Sequence, residues 1–144
     1  MTLQLVSIGV LALLAVGLAV RGRTGAHVAA MSAAVGLDLA LLLYIEATRH
    51  AVERVAGSVS PFIWVHASLS LVVVAAYATQ TASGWRRLAG KPFSRRMHVA
   101  VGLTLLGLRV ANFVTGLGMA QAVKAEQAGG KPALRGPVAV ASKF

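Results

Sequence analysis

Residues 95–116, RRMHVAVGLTLLGLRVANFVTG, form an apolar run with a basic start, and its strongly polar interior side chains are His98, Arg109 and Asn112. They recur at intervals of 11 and 3. Eleven residues at about 3.6 per turn make three turns plus about 20°, so the three side chains return to one helix face. A second run, residues 27–46, HVAAMSAAVGLDLALLLYIE, repeats the interval of 11 with His27 and Asp38. Two membrane helices running in the same direction would set His27 and His98 at one depth, with Asp38 and Arg109 together about 16 Å further in.

The surrounding composition supports a membrane setting. Of 144 residues, 57% are hydrophobic and 12% charged, and the mean hydropathy is +0.74, far more apolar than a water-soluble core requires. The formal net charge is +10. The cations gather in short connectors between apolar runs, which is a pattern of membrane topology and not of a nucleic-acid-binding face. The chain has no cysteine. That excludes disulfides, thiolate metal sites, thioether-linked haem and cysteine-ligated iron–sulfur clusters, leaving His, Met, carboxylate, Tyr or a macrocycle to hold any metal. The amino terminus, MTLQLVSIGV, lacks a positive leader, and Arg21 and Arg23 follow the first apolar run, so a retained first helix is expected.

Taken in order, the apolar runs predict an all-α fold, an antiparallel four-helix transmembrane bundle with helices near 3–20, 26–47, 61–81 and 97–119. Residues 1–120 form the membrane domain in this reading. Residues 121–144, rich in Gly, Pro and polar side chains, form a flexible or partner-bound tail. Pro61 suits the first turn of the third helix. On that helix His66, Ser70 and Tyr77 fall at i, i+4 and i+11, a thin polar stripe expected to face protein. Arg21, Arg23, Arg86, Arg87, Lys91, Arg95 and Arg96 lie in the first and third connectors, against Arg49, Arg54 and Glu53 in the middle loop. The positive-inside rule therefore sets both termini outside the cytoplasm, with Lys124, Lys131 and Arg135 running against that bias.

The candidate site residues follow from depth. His27 and His98 would stand at the cytoplasmic ends of diagonal helices, a width that suits haem b between two axial imidazoles, with Arg21, Arg23, Arg95 and Arg96 near its propionates. Met31, one turn after His27, and Met97, beside His98, offer thioether sulfur, so copper is the alternative metal. Against these stands the plainer account in which each histidine ends its helix in hydrogen bonds and each methionine fills apolar space. Asp38 and Arg109 are expected to form an intramembrane ion pair that fixes helix register, with Asn112 completing its hydrogen bonds; a proton relay is the alternative. His66, about 7 Å inside the opposite face, is a further cofactor-binding candidate whose neighbours would be Tyr44, Glu46, His50 and Thr115. No nucleophile with a base, paired carboxylate cluster or phosphate-binding loop is apparent, and the chain reads as a non-enzyme.

These residues also resemble a family of small four-helix bacterial membrane proteins, long described as a domain of unknown function and associated with cytochrome c oxidase assembly. The likeness spans residues 3–119. It is carried by the first apolar helix with its basic end, His27 and Met31 as His-x-x-x-Met, Tyr44, His66, the basic residues before His98, and Thr115-Gly116. The resemblance implies an accessory role in maturing a haem–copper oxidase, with the intramembrane histidines as its sites. Asp38 and Arg109 match no family motif, which leaves room for a resident subunit of a larger respiratory or photosynthetic complex. Two function classes stand: a cofactor-binding assembly or electron-transfer protein, and a non-catalytic structural subunit.

Overall fold

Long apolar runs satisfy their own backbone groups only by coiling, and the chain coils accordingly. The computed structural model describes residues 2–57 and 61–129. They form five helices: α1 (Thr2–Ala19), α2 (Thr24–Arg49), α3 (Ala51–Ala56), α4 (Pro61–Leu88) and α5 (Arg95–Gly129). No strand occurs among the described residues. Three segments, Thr24–Thr48, Pro61–Leu88 and Arg95–Met119, are long and apolar enough to cross a membrane, and the apolar run of α1, Leu3–Ala19, is shorter.

The helix ends explain where expectation and structure part. α2 stops at His50, which takes a left-handed conformation (φ 48°, ψ 54°) while its N–H still bonds Glu46 O. Beyond it the middle loop coils again as α3, whose exposed N-terminal amide at Val52 donates to the Glu46 carboxylate at 3.0 Å. A carboxylate at a helix start satisfies an orphan donor and complements the helix dipole. α4 runs to Leu88, seven residues past its expected end, passing through Gly84 in helical conformation and stopping only before Gly90 and Pro92. It closes with Gly90 at φ +67°, Lys91 N–H on Arg86 O and Gly90 N–H on Arg87 O, the paired bonds of a Schellman stop. α5 opens with Ser94 Oγ accepting the Met97 N–H at 3.4 Å. It continues ten residues past 119, since AQAVKAEQA contains strong helix formers. The expected tail is thus helical as far as Gly129, and residues 130–144 lie outside the described residues.

Two pairs of helices carry most of the packing, α1 with α2 and α4 with α5, and α1 also touches α5. Val10, Leu14 and Ala34 form one buried cluster, with Met31 and Leu106 against it. Val73, Tyr77 and Leu105 form the other, with Val35 and Leu108 against it. α1 and α2 approach closely at Gly17, where a methyl group would come within 2.7 Å of Met31 Sδ. Ser7, Gln80, Ser83 and Arg109 are as buried as these apolar groups. The interior is therefore a narrow polar column between two small apolar clusters, while Leu43, Leu71 and Trp85 stand exposed on the outside.

Candidate functional site

The polar column has three levels. At the middle level the Arg109 guanidinium lies against Asp38, Nη2 to Oδ1 at 2.7 Å and Nε to Oδ2 at 2.7 Å, a two-pronged contact. Tyr77 Oη donates to Asp38 Oδ2 at 2.8 Å, and Arg109 Nη2 donates to Ser7 Oγ at 2.7 Å. One ion pair therefore ties together α1, α2, α4 and α5. Asn112, expected beside it, instead accepts from Ser70 Oγ at 3.0 Å, one turn along. Three donors take up both Asp38 oxygens, which is the arrangement of a structural anchor.

At a second level His27 and His98 come together, with ring centroids 6.4 Å apart and planes at 76°. Hydrogen bonding fixes which nitrogen of each neutral ring carries the proton. The Gly17 carbonyl can only accept, so His27 Nδ1–H donates to it at 2.6 Å. Ser83 spends its hydroxyl proton on Gln80 O at 2.8 Å, so its oxygen accepts His98 Nδ1–H at 2.7 Å. In this tautomer both rings turn Nε2 away from those anchors, the His98 Nε2 accepting from the Gln80 amide at 3.3 Å, and each Nδ1–H is held as in ligating histidines generally. Gly17, His27, Gln80 with Ser83, and His98 again draw one group from each of the four long helices.

A porphyrin bound by His98 would lie close to Nε2 and spread on every side of it. The Gln80 carboxamide stands in that space, its Nε2 3.3 Å from His98 Nε2. It is held there by the absence of a side chain at Gly102, where a methyl group would reach Gln80 Nε2 at 3.0 Å. With Gln80 in that place the slot is closed to a porphyrin plane, while the centroid spacing suits two imidazoles bound end-on to one metal at about 2.0–2.1 Å, which sets them about 6 Å apart. The methionines are placed elsewhere. Met31 Sδ fills the notch at Gly17, and Met97 is 58% exposed.

His66 belongs to a third level, 14 residues before Gln80 on α4 and so about 21 Å away along the axis. Thr115 donates its hydroxyl proton to Asn112 O at 3.0 Å and accepts His66 Nδ1–H at 2.8 Å. His50 serves as the hinge between α2 and α3 and is exposed. The candidates His27, His98 and His66 therefore divide into a pair and a separate residue.

Gln80, Ser83, Gly17 and Ser7 were not singled out from the sequence. Carrying the stripe of His66, Ser70 and Tyr77 on by threes gives Gln80 and Ser83, so the signal existed for both, and a helix ended at 81 leaves only Ser83 outside it. Ser7 carries no such signal, being one hydroxyl in an apolar run. No protein-family model, curated protein or solved structure matches the chain.

Proposed function

We propose that this chain is an integral inner-membrane protein, an antiparallel four-helix bundle, that binds a metal ion between His27 and His98. Its cellular role in this proposal is that of a non-enzymatic accessory to a haem–copper respiratory oxidase, in assembly or electron transfer. The observation that carries the metal reading is the meeting of the two imidazoles at 6.4 Å, each held through Nδ1 by a group of the protein. The role at an oxidase rests on the sequence resemblance of residues 3–119. Support for the antiparallel bundle comes from the order of contacts: Gly17 meets Met31 while Ser7 meets the Arg109–Asp38 pair, and Ser83 meets His98 while His66 meets Thr115. Support for lipid around it comes from the exposed apolar exterior and the buried polar interior.

Copper is the metal closest to the proposed partner, and zinc is chemically equivalent for two imidazoles. The ion would be held by neutral nitrogen ligands, while Gly17 O and Ser83 Oγ orient the rings. Elemental analysis and an absorption spectrum of detergent-purified protein, grown with haem precursor and metal in excess, test this reading. One equivalent of metal without a Soret band is expected, falling below a tenth in His27→Ala and in His98→Ala. Metal content unchanged by both substitutions would overturn the site. One observation favours a purely structural subunit: Gly17, Ser83 and Gln80 already give both rings partners within the protein. Wild-type protein free of metal and haem would put that reading first.

A further inference from the structure

Among the described residues no three His, Cys, Asp or Glu side chains gather at one point. A metal at the imidazole pair therefore needs its third protein ligand from another residue type. Gln80 is 9% exposed, and its Oε1 is fully buried without a hydrogen-bond partner. A buried amide oxygen left unpaired is costly, because it gives up its water without gaining a partner, so such groups have a reason to exist. Its neighbours explain why it stays: Gly102 removes the side chain that would displace the carboxamide, and the other head atom, Nε2, lies 3.3 Å from His98 Nε2.

We infer that Gln80 Oε1 is the third ligand of a site for a first-row divalent cation, with His27 Nε2 and His98 Nε2. The inference rests on the imidazole pair being a metal site. A half-turn of the carboxamide about its terminal bond exchanges oxygen and nitrogen and brings Oε1 to the position 3.3 Å from His98 Nε2. Two ligand atoms bonded tetrahedrally to one ion at about 2.0–2.1 Å lie about 3.3 Å apart, so this spacing is the edge of a tetrahedron. In the metal-free state the same place is filled by an N–H···N hydrogen bond, and the amide oxygen waits unpaired. At 6.4 Å between centroids the rings stand about 1 Å wider than a tetrahedral angle at one ion sets them, so ion binding draws them together by that amount. The donor set is two neutral nitrogens and one neutral oxygen, with a fourth position open to water or an exchanging ligand. That set suits zinc or copper(II) better than copper(I), which prefers soft sulfur ligands.

The test is a Zn²⁺ titration of the full-length protein in detergent, followed by calorimetry and by elemental analysis after desalting. Wild type should take up one zinc per chain. Gln80→Leu should bind at least tenfold more weakly, and Gln80→Glu, which places a carboxylate at the same point, should bind at least as tightly as wild type. Helical circular dichroism and elution as a single species establish that each variant is folded. Wild-type affinity in folded Gln80→Leu, with affinity lost in His27→Ala and His98→Ala, would overturn the role of Gln80 and leave the imidazole pair standing. A weaker Gln80→Glu would overturn it as well, without relying on the leucine variant. Zinc binding that survives both histidine substitutions, or none in wild type, would overturn the pair and the inference together.

Discussion

Arg109 is 4% exposed and spends its guanidinium on Asp38 and Ser7 alone. Removing one partner leaves a buried charge without compensation, which costs on the order of 3–5 kcal/mol. Asp38→Ala and Arg109→Ala should each destabilise by about that amount, while the double change should cost less than their sum. Reversible unfolding in mixed micelles measures the cycle, and strictly additive losses would mean that the two charges do not act as a unit. Sequence spacing alone was enough to couple these residues, because an interval of 11 in both helices preserves face and depth together. It was not enough for Gln80 or Ser83. Uncharged polar side chains leave little trace in a hydropathy pattern, and their importance at His98 comes from a proton placement that only three-dimensional neighbours define.

At the scale of elements, the stop of α4 carries a sharp expectation. Gly90 adopts φ +67°, a conformation in which a Cβ costs about 1–2 kcal/mol. Gly90→Ala should destabilise by about that amount without altering metal content, since nothing lies within 4 Å of the added methyl and the strain is confined to the backbone. Thermal unfolding beside elemental analysis checks both halves. Helix existence was legible from apolar length, and Pro61 marks the start of α4 as its residue type suggests. Helix ends were less so. α4 and α5 outrun their apolar cores because polar residues such as Arg86, Arg87, Lys124 and Gln127 are good helix formers, and hydropathy reads them as departure from the helix when they are only departure from apolar surroundings. A haem between two axial imidazoles needs an open slot between helices, and the Gln80 carboxamide stands in that slot beside His98.

For the whole molecule, the proposed topology sets the α4–α5 connector, with Arg86, Arg87, Lys91, Arg95 and Arg96, on the cytoplasmic side. The chain contains no cysteine, so single cysteines report cleanly. Lys91→Cys should resist a membrane-impermeant maleimide added to intact cells and react after the membrane is opened, whereas Glu53→Cys should react in intact cells; the reverse pattern would invert the topology. The ion pair at the centre has a further consequence, in time instead of space. Asp38 and Arg109 are 71 residues apart, so at about 5–20 residues per second the acid is made roughly 4–14 s before its partner. Throughout that interval α2 must reside in or beside the insertion machinery with a group that alone costs about 2.5–3.5 kcal/mol at mid-membrane. Synthesis of the last helix ends that wait, so a ribosome stalled before codon 109 should leave α2 extractable or open to proteolysis, and release from the stall should fix α1, α2 and α4 in a single step.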